Sequence, residues 1–135
     1  MKVAKTYEDK LDDARRWTKD QQFRVGLQLL RAEVDGAKAG EAFADIAETV
    51  TAALNDATMN ATAAAHGHVK DGAMVVIGMG RLGSREMTAA SDLDLIFIYD
   101  HAPDVTSSDG ARPLAPSLYY ARASQRLISA LTVMT

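Results

Sequence analysis

The chain has 135 residues, 47% of them apolar and 24% charged, with a formal charge of −3 and no cysteine, the balance and length of one ordinary globular domain. Absence of cysteine excludes disulfide scaffolds, cysteine nucleophiles and thiolate metal sites. No apolar run nears the about 18 residues of a membrane span, the start lacks the apolar stretch of a leader, and scattered basic residues offer no broad footprint for a phosphate backbone, so a cytoplasmic protein without membrane or nucleic-acid partners is expected.

The first third reads as helix, with Tyr7, Leu11, Ala14, Val25 and Leu29 near helical spacing and Trp17, Phe23, Leu27 and Leu30 widening the buried stripe. Thr18, Asp20 and Gln21 have the form of a capping box, which predicts a break there and a second helix to about Ala32. After a turn at Asp35 and Gly36, Phe43, Ile46, Val50, Leu54, Ala57, Ala61 and Ala64 mark one face of a long helix that stops at His66 and Gly67. From Lys70 the pattern changes. Ala73 to Ile77 is a short apolar run rich in β-branched residues, read as a buried strand, and Leu93 to Tyr99 is a second strand. Asp/Pro/Gly/Ser clusters make residues 101–115 a loop, and Pro116 opens a last amphipathic helix bearing Tyr120, Ser124, Leu127, Ile128 and Leu131. Two strands alone make a poor sheet, so the chain reads as part of a larger domain, and its uncovered strand edge predicts self-association.

The chemistry lies between Ile77 and Asp100. Gly78, Gly80 and Gly83 form a G-x-G-x-x-G after a strand, and Asp100 ends the next apolar run, as in a dinucleotide-binding site. That reading requires a crossover helix over residues 81–90, which hold little to pack on a sheet, and leaves Asp92 and Asp94 unused. The other reading starts from these two aspartates. Alternation along a strand sets them on one face, about 6–7 Å apart, where two carboxylates repel unless a cation lies between them. Oxygen ligands favour Mg²⁺, bound by one or two carboxylates together with substrate phosphates and water. The upstream glycines let backbone N–H groups approach phosphate, and Arg81 adds positive charge. A phosphate-cradling turn followed by an Asp-x-Asp strand suits metal-assisted nucleotidyl transfer.

Met79-Gly80-Arg81, ten residues, then Asp92-Leu93-Asp94 resembles the pattern of the DNA polymerase beta superfamily of nucleotidyltransferases. Gly80-Arg81-Leu82-Gly83-Ser84-Arg85-Glu86 followed by Ser91-Asp92-Leu93-Asp94-Leu95-Ile96-Phe97 is similar to the G-K-L-G-G-R-E…S-D-L-D-L-I-F signature of the glutamine synthetase adenylyltransferase family, with Arg81 for its lysine and Ser84 for its second glycine. Residues 23–31 and 119–132 resemble the flanks of that family's adenylylating half. The resemblance implies an α+β, polymerase-beta-like nucleotidyltransferase fold, truncated, with residues 1–70 a helical lead-in and residues 71–135 the first part of a catalytic domain with a small mixed sheet. It implies Mg²⁺-dependent transfer of AMP from ATP to a tyrosine of glutamine synthetase, with Asp92 and Asp94 as catalytic metal ligands. Gly80, Arg81, Gly83, Ser84 and Ser91 would bind the nucleotide, and a PII-type signalling protein would act as regulator. In this family a third carboxylate, on a strand beyond the last helix, completes the site. The adenylyl-removing half, which phosphorolyses AMP-tyrosine, is the alternative within the fold; outside it stand a dinucleotide-binding module and a helical domain whose nucleotide site has decayed.

Plainer roles are expected elsewhere. Gly78 reads as structural, His66 and His68 as a helix end, and Arg85, Glu86, Arg122 and Arg126 as solvated charges or packing ions.

Overall fold

The computed structural model describes residues 5–134; the leader reading rests partly on Met1 to Ala4, which lie outside this range, as does Thr135. Helix α1 (Tyr7–Leu30) opens on a reciprocal cap, in which the Thr6 hydroxyl accepts from the Asp9 backbone N–H and the Asp9 carboxylate from that of Thr6, both at 3.1 Å. The helix then runs unbroken through the expected break. Thr18 is 4% exposed inside α1 and caps nothing; neither Gly nor Pro interrupts residues 7–25, so helix formers such as Leu11, Arg15 and Gln21 carry the hydrogen bonding through. The apolar stripe is also narrower than expected. Val25 is buried, whereas Phe23 and Leu30 are 72% and 86% exposed, because α1 packs chiefly on α2 (Gly36–His66) alone.

Helix α2 is capped by Asp35, whose carboxylate accepts from the Lys38 N–H at 2.8 Å. It ends at Gly67, whose φ of +79° favours glycine and turns the chain out of the helix, as the His66-Gly67 signal indicates. Phe43, Ile46, Val50, Leu54 and Ala57 are buried along it, while Ala64 at its far end is exposed.

Strand β1 (Ala73–Met79) leads directly into a single helical turn, α3 (Gly80–Ser84), and the chain returns as β2 (Asp94–Asp100). The strands pair antiparallel, from Ala73 opposite Asp100 to Met79 opposite Asp94. This overturns the dinucleotide-binding reading, which needs parallel strands joined by a crossover helix; α3 stops after one turn at Arg85. The sheet is likewise antiparallel and two-stranded among the described residues, not mixed.

Strand β1 is also not buried on both faces. Met74, Val76, Leu95 and Phe97 turn inward, while Val75, Ile77, Met79, Ile96 and Ile98 share the opposite, exposed face. The inward face lies on α2 and on α4 (Pro116–Val133), around a cluster of Val50, Leu54, Leu127, Ala130 and Leu131. A second cluster joins Val25, Phe43 and Ile46 to Leu82 and Met87, so the loop after α3 is anchored in the core. Residues 101–115 hold no helix or strand; this loop is tied back on the end of α2, where the Asp109 carboxylate accepts from the His68 N–H at 2.7 Å. No helix among the described residues is long and apolar enough to cross a membrane.

Candidate functional site

The end of β1 and the start of β2 meet at one edge of the molecule, where the register sets Met79 against Asp94. Gly80, the next residue, has φ of +56°, and a Cβ built on it would lie 2.6 Å from an Asp94 carboxylate oxygen. Only glycine satisfies both conditions, the left-handed backbone and the close approach of a side chain. The consequence is an Asp94 carboxylate laid against bare backbone at the point where the chain turns out of the sheet.

Asp92 lies just before β2 rather than in it. A turn over residues 88–91 positions it: the Ser91 N–H donates to the Thr88 carbonyl at 3.2 Å, and the Ser91 hydroxyl accepts from the Thr88 N–H at 2.9 Å. The Met87 side chain, 6% exposed, anchors this turn in the core. A cleft of about 610 Å³ results, lined by Gly80, Arg81, Thr88, Ala90, Ser91, Asp92 and Asp94. Asp92, Asp94 and Arg81 all face it, and neither aspartate has a side-chain hydrogen bond or ion pair among the described residues.

Five of the residues singled out from the sequence, Gly80, Arg81, Ser91, Asp92 and Asp94, therefore line one cleft. Gly83 and Ser84 do not line it. A Cβ on Gly83 would meet the Gly78 carbonyl oxygen at 2.9 Å, so this glycine lets α3 lie close on β1. The Ser84 hydroxyl donates to the Arg81 carbonyl at 3.4 Å, inside its own turn. Thr88 and Ala90 are lining residues that sequence reading misses; the Thr-x-x-Ser spacing before Asp92, a hydroxyl pair able to close a turn, is the available signal. Arg85 is a packing ion, paired with Asp45 and, at 3.0 Å, with Glu48 on α2. Arg126 lies 4.2 Å over the Tyr7 ring.

Two carboxylates facing one cleft, with no lysine or arginine paired to them among the described residues, are an all-oxygen donor set suited to a hard divalent cation that takes its remaining ligands from phosphate and water. Among the described residues no third His, Cys, Asp or Glu joins them in a metal-holding group.

Comparison with known proteins places residues 1–135 under the family model for glutamate-ammonia ligase adenylyltransferase. The chain is 49% identical over 132 residues to a bifunctional glutamine synthetase adenylyltransferase/adenylyl-removing enzyme of Mesorhizobium japonicum, covering 97% of this chain and 13% of that protein. Enzymes of the same name from Rhizobium meliloti and Bradyrhizobium sp. are 44% and 45% identical, over 96% and 100% of this chain and 13% and 14% of their own lengths. The chain thus spans about one seventh of these relatives.

Proposed function

Because the chain belongs to the glutamate-ammonia ligase adenylyltransferase family, we propose that it carries the nucleotide and metal end of a polymerase-beta-like nucleotidyltransferase site. This site transfers AMP from ATP to a tyrosine of glutamine synthetase. Residues 1–70 serve as a helical lead-in, and residues 71–135 form the first part of the catalytic domain. The observation that carries this reading is the convergence of Asp92, Asp94, Gly80 and Arg81 on one cleft.

In this reading Asp92 and Asp94 hold Mg²⁺, whose chemistry is neutralisation of charge on the transferring phosphoryl group. Gly80 leaves its backbone open to phosphate oxygens, and Arg81 supplies a positive charge at the same mouth. The turn closed by Thr88 and Ser91 holds Asp92 in place. Gly83 and Ser84 support the phosphate-binding turn from behind. A third carboxylate, carried on a strand that pairs with the outer edge of β2, takes the proton of the tyrosine hydroxyl. A groove of about 360 Å³ lined by Asp92, Leu93, Phe97, Ile128 and Leu131 supports a place for that strand.

Titrating the chain with ATP at rising Mg²⁺ tests this. ATP affinity should depend on Mg²⁺ and vanish in the Asp92→Asn/Asp94→Asn double variant; affinity indifferent to both would overturn the reading.

The relatives' names also carry adenylyl removal, and the same arrangement serves phosphorolysis, in which orthophosphate attacks AMP-tyrosine and releases ADP. Product analysis of the full-length relative carrying the aspartate pair variant separates the two. Loss of AMP incorporation with ADP release intact assigns these residues to the adenylylating half.

A further inference from the structure

The turn that leads into Asp92 carries two hydroxyl groups side by side. The Ser91 hydroxyl accepts from the Thr88 N–H at 2.9 Å, the Thr88 hydroxyl accepts from the Ala90 N–H at 3.3 Å, and the two hydroxyl oxygens lie 3.1 Å apart. Each hydroxyl has one proton and two lone pairs. Only one proton fits between the two oxygens, so one hydroxyl donates to the other and one proton is left over. If Thr88 donates, Ser91 accepts twice and keeps its proton; if Ser91 donates, Thr88 accepts twice and keeps its own. Either way, the hydroxyl that keeps its proton has both lone pairs filled and can act only as a donor.

Among the described residues no carboxylate or carbonyl accepts that proton; the bonds within the turn are the ones these two hydroxyls make. Thr88 and Ser91 both line the acid cleft, together with Gly80, Arg81, Asp92 and Asp94. The leftover proton is therefore offered at the lining of the cleft, beside a carboxylate suited to a metal ion. A donor-only group in that place selects a ligand rich in acceptors. Ionised phosphate oxygens accept and do not donate, hydrogen bonds to charged groups are the stronger kind, and a divalent cation held by carboxylates takes phosphate oxygens as further ligands.

We propose that Thr88 is a phosphate-binding residue of the cleft, sharing with Ser91 the single proton that the pair donates to a phosphate oxygen of the nucleotide. This rests on the nucleotidyl-transfer reading, which puts a triphosphate at Asp92 and Asp94. Gly80 and Arg81 reach the phosphates from the end of β1, and the hydroxyl pair reaches them from the loop that enters β2. Sharing leaves a signature. Either hydroxyl alone still has a proton to donate, so the bond to phosphate is lost only when both are removed.

The test is calorimetric titration of the chain with Mg²⁺ alone, with ATP in Mg²⁺ and with orthophosphate in Mg²⁺. Thr88→Val and Ser91→Ala should each weaken ATP binding by less than about threefold, and the double variant by roughly tenfold to a hundredfold, the worth of a hydrogen bond to a charged acceptor. These factors are read after the loss for Mg²⁺ alone is divided out, because a turn that only holds Asp92 weakens both alike. Thr88→Ser/Ser91→Thr, which keeps both hydroxyls, should bind ATP as the wild type does. Wild-type ATP affinity in the Thr88→Val/Ser91→Ala double variant would overturn the proposal. So would a loss no larger for ATP than for Mg²⁺ alone, which marks support of Asp92 and nothing more, or the full loss in one single variant, which marks an unshared donor. A loss confined to orthophosphate would assign the donor to phosphorolysis and overturn it equally. A wild-type chain without Mg²⁺-dependent ATP affinity overturns the nucleotide reading itself and the proposal with it, a result distinct from a variant that binds as the wild type does.

Discussion

At the Ala73/Asp100 end of the strand pair, Tyr99 stacks on Tyr120 with ring centroids 4.8 Å apart, Tyr120 meets Tyr119 edge-on at 5.1 Å, and the Tyr119 hydroxyl donates to the Gly67 carbonyl at 2.7 Å. At the Met79/Asp94 end the same two strands finish in a glycine, an arginine and two aspartates that line an open cleft. The closed end ties the Tyr119 hydroxyl internally and stacks its rings, which contributes stability. The open end presents carboxylates with no side-chain partners among the described residues, which favours a ligand that brings positive charge. On the proposed function, stability and binding thus belong to opposite ends of one sheet, and substitutions should separate them.

The largest expected effect is on the core that both ends share. Leu127 is 0% exposed beneath the strands, and Leu127→Ala should cost about 2–5 kcal/mol in denaturant unfolding. Gly80→Ala comes next and strikes the open end. A non-glycine residue in the left-handed region costs about 1–2 kcal/mol, and its Cβ must displace the Asp94 carboxylate. ATP binding in the presence of Mg²⁺ should therefore fall by more than the loss of stability explains, and an unchanged affinity would break the division between the two ends.

The closed end is sharpened by Tyr119→Phe, which removes the bond to Gly67 and should cost about 0.5–1.5 kcal/mol without touching ATP binding. Burial raises the Tyr119 phenol above its ordinary value of 10.0, with the Asp109 carboxylate adding to the shift; burial also raises Tyr120, helped by Tyr119. A raised folded-state value favours the neutral phenol. The contribution is therefore whole below pH 10 and is lost as pH rises through the raised values. Melting temperature should drop more steeply above about pH 10 in the wild type than in Tyr119→Phe.

The smallest effect belongs to Arg85, which sits at φ of +60° and pairs with Asp45 and Glu48 while 40% exposed. Arg85→Gly gives up exposed ion pairs worth about 0–1 kcal/mol and relieves a left-handed backbone worth about 1–2 kcal/mol, against which stands the extra freedom of a glycine in the unfolded chain, roughly 0.5–1 kcal/mol. Unfolding should report nearly no change.

Local signals in the sequence are legible where one element supplies its own evidence. Asp35 and Gly67 bound α2, Pro116 opens α4, and a glycine turn ten residues before an aspartate pair picks out the lining of the acid cleft. Thr18 misleads because a capping pattern is local whereas helix continuity depends on the residues to either side, and nothing between Tyr7 and Val25 stops a helix. Phe23 and Leu30 mislead because helical spacing says which residues share a face, not whether anything covers it. Gly83 shares a motif with Gly80, yet it serves close packing of α3 on Gly78 rather than the cleft.

The sequence by itself determined the family, the long helices and the pairing of a glycine turn with Asp92 and Asp94, because caps, periodicity and motif spacing are properties of neighbouring residues. Tertiary structure alone decided that the strands run antiparallel and that, among the described residues, the Val76/Phe97 face is covered while the Val75/Ile98 face is exposed. Val75 and Val76 are chemically the same residue on adjacent positions, and their different fates depend on where α2 and α4 pack.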